Sequence, residues 1–190
     1  MFCANLKTPF ELPYNDQEWI DNLPVPPAGK NFMLADFAKE YKTNKELLSW
    51  IESKGVDIPF WDTFISTPDF TMHIHNDNNA GIDNMTKLNW VYEDGYSEMV
   101  WYKEKENAKH TIYQNNGMDD YALSWNPSDV EQVYSAVIGK PSLVNAGQPH
   151  NIINVSSKKR ICLSFFLIEK ETGKPLQWER AMVLFEDCIL

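Results

Sequence analysis

Phe60-Trp61-Asp62-Thr63-Phe64-Ile65-Ser66-Thr67-Pro68-Asp69-Phe70-Thr71-Met72-His73-Ile74-His75-Asn76-Asp77 marks a change of vocabulary in the chain. Before Pro59 the sequence is proline-punctuated and partly helical; after it come short aromatic and β-branched runs. Strands are expected at 60–66 and 70–75, then at 86–92, 98–103, 130–138, 142–145, 151–155 and 160–168, with a late one near 180–185. Turn-forming clusters separate them: Asp77-Asn78-Asn79-Ala80-Gly81, Glu93-Asp94-Gly95, Asn115-Asn116-Gly117, Gly139-Lys140-Pro141 and Ala146-Gly147-Gln148-Pro149. Short strands in such series behind a helical segment predict a sandwich or barrel of antiparallel strands. Residues 103–129 read as an insertion or lid, and His110 as an ordinary loop residue.

Working outward, residues 1–58 form an N-terminal portion packed on a body spanning 59–190. Pro9, Pro13, Pro24, Pro26 and Pro27 exclude a long helix and a central strand there. Phe10, Tyr14 and Trp19 among them predict an arm lying across the body. Residues 44–55 predict a helix: Asn44 caps it, Leu47, Leu48 and Ile51 form one stripe, and Gly55 terminates it. A preceding helix is expected around 34–41.

The 190 residues carry 17 basic and 27 acidic side chains, a net charge of −10. A phosphate backbone would be repelled, so nucleic acid is not an expected partner. No run approaches the length of apolar chain that spans a bilayer, so no membrane association is expected. Met1 to Pro9 lacks the apolar stretch of a signal peptide. Cys3, Cys162 and Cys188 are odd in number and lack a CxxC spacing. Free thiols, a reducing compartment and a cytoplasmic location are the expectation. Seven Trp and eight Tyr can fill a β core or line a pocket for a planar or sugar-like ligand.

Four histidines, at 73, 75, 110 and 150, limit where metal chemistry can sit. An extended strand through Asp77 puts His73, His75 and Asp77 on one face. His75-x-Asp77 then offers an imidazole and a carboxylate side by side, and His150 in Gly147-Gln148-Pro149-His150 can be the third ligand. His73 and His75 are an alternative ligand pair, and Asp77 has an ordinary turn-forming reason to occur. Two imidazoles and one carboxylate leave open positions on an octahedral ion, an arrangement suited to non-heme Fe(II). Arg160 opens the most hydrophobic stretch of the chain and shares a strand face with Cys162 and Ser164. It either caps a strand at the surface after Lys158 and Lys159 or holds the remote carboxylate of a dicarboxylate ligand. Gln148, Asn151 and Asn154 supply amides able to orient His150 or its neighbours.

His75-x-Asp77, His150 after an Asn-x-Gly-x-Pro turn, and Arg160 ten residues later together resemble the Fe(II)- and 2-oxoglutarate-dependent oxygenases of the prolyl/aspartyl hydroxylase type. The resemblance covers about half the chain, from residue 70 to 167. It implies a double-stranded β-helix (jelly-roll, cupin-like) with N-terminal helices outside one sheet. It also implies that His75, Asp77 and His150 hold iron, and that Arg160, helped by Ser164, pairs with the 5-carboxylate of 2-oxoglutarate. Asn89, Tyr92 and Tyr102 would lie near the cosubstrate. The implied reaction is hydroxylation of a small molecule or of a peptide or protein side chain, with release of succinate and CO₂. A noncatalytic cupin-like binding protein and a cupin-type metalloenzyme that does not use 2-oxoglutarate are the competing readings. Oligomeric state is open.

Overall fold

In a computed structural model the described residues are 1–11, 18, 22–24, 26, 32–35, 44–77, 84–92, 97–114, 121–138 and 141–190. One sheet contains β1 (Cys3–Asn5), β2 (Phe32–Ala35), β4 (Trp61–Ser66), β7 (Thr86–Tyr92), β12 (Ser142–Asn145) and β14 (Arg160–Phe166). Its order is β1-β12-β7-β14-β4-β2. A second contains β5 (Phe70–Thr71), β6 (Ile74–His75), β8 (Ser97–Glu104), β9 (His110–Gln114), β10 (Tyr121–Trp125), β11 (Val130–Val137) and β13 (His150–Asn154). Its order is β11-β8-β13-β6-β10-β9, with β5 also on β13. A small third sheet joins β3 (Val56–Asp57), β15 (Ile168–Glu169) and β16 (Lys174–Pro175). The pairings within these sheets are antiparallel, and from β4 to β14 the chain passes back and forth between the two large sheets, through β4, β5–β6, β7, β8–β11, β12, β13 and β14 in turn. That alternation is the double-stranded β-helix the sequence predicts.

The central strands β7 and β14 of the six-stranded sheet are buried on both faces, and the two faces do different work. Leu88, Trp90, Ile161, Leu163 and Phe165 point outward, where α1 (Lys45–Ser53) and α2 (Trp178–Leu184) cover them. Val91, Val144 and Cys162 point inward to meet Met99 and Trp101 of the facing sheet. Asn44 caps α1 by accepting from the Glu46 amide at 2.8 Å, and Leu47 and Ile51 are its buried stripe. Gly55 follows at φ 72, a conformation that costs glycine little, and ends the helix as expected.

Several expectations change. The late strand near 180–185 is instead α2. Trp178, Ala181 and Phe185 recur at helical spacing and all enter the outer core, so the period is that of a helix. Leu34 and Ala35 belong to edge strand β2, paired with β4, rather than to a helix. The 103–129 insertion contains the β9–β10 hairpin, and β10 pairs with β6, so it widens the second sheet. His110 is accordingly an exposed strand residue, not a loop residue. The expected 70–75 strand is broken at Met72 and His73 into β5 and β6. Tyr14, Trp19, residues 36–41 and the turns at 78–81, 93–95, 115–117 and 139–140 lie outside the described residues. Among the described residues no helix is long and apolar enough to cross a membrane.

Because α1 attaches through few side chains, Leu47→Ala should lower unfolding stability by about 2–4 kcal/mol. Urea denaturation followed by tryptophan fluorescence checks this, with Leu48→Ala, on the exposed face, expected to stay within about 0.5 kcal/mol of the parent protein.

Candidate metal centre

His150 opens β13 and stands directly opposite His75 of β6 on one side and Trp101 of β8 on the other. Directly opposed residues project to the same face of a sheet. Trp101 is fully buried inside the barrel, so both imidazoles point inward. Their rings lie 4.6 Å apart between centroids. Asp77 follows two residues after His75, with its Oδ1 at 3.4 Å from His75 Nε2. One ligand atom each from His75, Asp77 and His150 falls within 4.8 Å of the others. His73 packs against His75 with ring centroids at 5.1 Å but sits exposed, at the rim of this cluster and outside it.

Hydrogen bonding sets the imidazoles up as ligands. His75 Nδ1 donates to the His73 carbonyl at 3.0 Å, and His150 Nδ1 donates to the Gln148 carbonyl at 2.8 Å. Since a carbonyl only accepts, each ring carries its proton on Nδ1 and leaves the Nε2 lone pair free. Burial, reinforced by His75, pulls the His150 pKa down to about 4, so the ring is neutral near pH 7. Burial alone would raise the Asp77 pKa. The Lys87 ammonium outweighs it and holds the carboxyl well below its usual range. Two neutral nitrogens and one anionic oxygen suit a divalent ion.

Asn76, between the two ligand candidates, points away from them and acts as a clamp. Its Oδ1 accepts from the Leu123 amide of β10 at 3.0 Å, and its Nδ2 donates to the Gly147 carbonyl at 3.3 Å. The Asp77 amide donates to the Ala146 carbonyl at 2.9 Å. The histidine strand, the hairpin of the insertion and the turn carrying His150 are thus tied together. Gln148 braces that turn by donating to Asn84 Oδ1 at 2.8 Å. Asn154, by contrast, holds the β13–β14 turn through the Thr67 and Lys158 carbonyls and does not reach toward His150.

The residues expected beside a cosubstrate divide by face. Arg160, Cys162 and Ser164 share the inward face of β14, and Ser164 Oγ donates to Asn89 Oδ1 at 2.7 Å. Arg160 is buried, 6% exposed, which removes the surface-cap alternative. Tyr102 does not join them. It neighbours the inward-facing Trp101, so it projects from the outer face, near Ile74, Trp125 and Val130, and donates to Asn151 Oδ1 at 3.2 Å. Asn151 is therefore also outside the pocket. Tyr92 likewise packs into the outer core with Leu88 and Trp90.

Two inward residues escaped the sequence reading. Lys87 lies two positions before Asn89 on β7, and its Nζ sits 2.9 Å from Asp77 Oδ2. Ser66 is the cross-strand partner of Arg160. The parity of Lys87 with Asn89 was available from period-2 alternation; the Ser66–Arg160 pairing needs the sheet register.

No family model matches the sequence, and no curated protein does. Among solved structures, the chain is similar to oxalate oxidase in complex with the substrate analogue glycolate. The identity is 11% and the TM-score 0.38, over 89% of this chain and 77% of that one. It is also similar to oxalate decarboxylase from Bacillus subtilis, at 13% identity and TM-score 0.32, over 90% of this chain and 33% of that one. A third is Peruvianin-I, described as a cysteine peptidase from Thevetia peruviana latex, at 11% identity and TM-score 0.37, over 93% of this chain and 94% of that one. The chain thus spans about a third of the decarboxylase. These likenesses are too distant to carry function, and the jelly-roll, cupin-like fold rests on the strand order itself.

Asn76→Ala removes two hydrogen bonds from a buried clamp, leaving the Leu123 amide and Gly147 carbonyl short of a partner. A loss of about 1–3 kcal/mol is expected in chemical denaturation, together with faster amide exchange along β10.

Proposed function

We propose that this protein is a divalent-metal enzyme that binds a small dicarboxylate, and that it is an Fe(II)-dependent hydroxylase with 2-oxoglutarate as cosubstrate. One observation carries the dicarboxylate. Arg160 Nε and Ser66 Oγ, on directly paired residues of the inward face, are both buried without a hydrogen-bond partner. Among the described residues no carboxylate forms an ion pair with Arg160. A buried guanidinium N–H left unpaired is costly unless an acceptor completes it, and an anion would do so best. A neighbouring hydroxyl donor is what a carboxylate would use as its second contact.

Charge balance supports the same reading. Lys87 offsets Asp77, and the charge of Asp62 also favours the Lys87 ammonium. A divalent ion at His75, Asp77 and His150, together with Arg160, would leave the interior positive, and a dianion would neutralise it. Arg160 and Ser66 would fix the remote carboxylate, while Ser164 and Asn89 line the same inward wall nearer Lys87. When bound, the metal would supply the coordination sites and redox chemistry for O₂. The chain's share is to hold both imidazoles as Nδ1–H tautomers, to anchor the cosubstrate, and to exclude water with Trp101, Val91 and Val144. The target is a small molecule or a peptide or protein side chain, admitted from the rim where His73 is exposed.

A cupin-type metalloenzyme acting on the dicarboxylate itself is the second reading, because the same Arg160–Ser66 pair would serve a substrate as well as a cosubstrate. Product analysis separates the two: succinate formed only alongside a hydroxylated second compound supports the first. Anaerobic titration of Fe(II)-loaded protein with 2-oxoglutarate, followed by its visible charge-transfer band, tests the anchor. Arg160→Ala should weaken binding by roughly 10–100-fold, corresponding to about 1.5–3 kcal/mol for a charged hydrogen-bonding group, and leave metal affinity largely intact. Arg160→Lys should recover only part of it, and Ser66→Ala should cost roughly 3–10-fold. An unchanged titration in Arg160→Ala removes the residue from the site.

A further inference from the structure

Lys87 is the least expected side chain inside the barrel. It is 5% exposed, on a strand otherwise built of apolar, amide and hydroxyl residues. An ammonium in such a place costs several kcal/mol unless well paired. Its partner is one particular oxygen, Asp77 Oδ2, at 2.9 Å. The other oxygen, Oδ1, is the one that faces His75 Nε2. Lys87 therefore distinguishes the two ends of a carboxylate that are chemically equivalent.

That distinction matters at a divalent ion, which a carboxylate can ligate through one oxygen or both. With two imidazoles on an octahedral ion, a one-oxygen Asp77 leaves three positions free, and a two-oxygen Asp77 leaves two. A chelating cosubstrate occupies two positions, so only the first mode leaves room for O₂ as well. We propose that Lys87 is a positioning residue that occupies Asp77 Oδ2, confines the carboxylate to one metal-facing oxygen, and so keeps a third coordination position open. This rests on the metal reading above. Lys87 also repels the ion it serves, so strengthening metal binding is not its role. Its removal should leave metal affinity unchanged or higher while altering how many positions remain for other ligands.

The test uses Mn(II) alone on the full chain, with water-proton relaxation and pulsed EPR counting the water molecules bound to the ion. Wild type should hold about three waters, Lys87→Met about two, and Lys87→Arg, which keeps charge and donor, about three again. The Mn(II) Kd of Lys87→Met should equal that of wild type or be lower. Three waters in folded Lys87→Met, or two in wild type, would overturn the proposal while leaving the metal centre standing. Loss of Mn(II) binding in Lys87→Met alone would overturn it too, since the lysine would then hold the site as a whole. Should Lys87→Met fail to fold, the wild-type count and Lys87→Gln decide the matter. In that variant a neutral side chain too short to reach Asp77 should again give two waters, and three would overturn the proposal. If wild type binds no Mn(II), the metal reading and this inference fall together.

Discussion

The antiparallel register that sets His150 of β13 opposite His75 of β6 is the constraint on which the site depends. A shift of one residue would turn every side chain of β13 to the other face and replace His150 inside the barrel with Asn151. Three features oppose such a slip. β13 pairs with β8 as well as β6, Asn76 ties the strand bearing His75 to the β12–β13 turn, and Asn154 closes the far end of β13. Ile152 and Met99, inward on these strands, and Asn151 and Tyr102, outward, satisfy opposite faces at once.

Stability and chemistry are separated across the thickness of one sheet. The outward face of β7 and β14 buries Leu88, Trp90, Leu163 and Phe165 under two helices, where hydrophobic burial is the main contribution. The inward face of the same strands carries Lys87, Asn89, Arg160 and Ser164. Charged groups there contribute little to stability, because desolvation opposes their pairing. The outer core offsets that cost, which is why each of these strands is buried along nearly its whole length yet polar at alternate positions.

Much of this was legible in the chain because it is local. Strand runs, their turns, the Asn44 cap and Gly55 stop of α1, and the alternation that groups His75 with Asp77 and Arg160 with Cys162 and Ser164 depend on neighbouring residues. Features that depend on register were not. Ser66 looks like an ordinary strand serine until β4 is laid against Arg160. The orientation of Tyr102 follows from its neighbour Trp101 being inside, which only the pairing with His150 establishes. Tyr92 is a different kind of miss: three positions from Asn89 on a strand, it had to face the other way. The segment 178–185 misled because a short apolar run fits a strand or a buried helix equally well until its partners are known.

The claim beneath the rest is that His75, Asp77 and His150 hold one divalent ion. Anaerobic equilibrium dialysis against Fe(II), with metal analysis of wild type and of His150→Ala and Asp77→Ala variants whose folding is checked by circular dichroism, addresses it most directly. The account predicts about one ion per wild-type chain and a fall to near zero in both variants. Wild-type protein without iron, or folded variants that bind it as well as wild type, would contradict it.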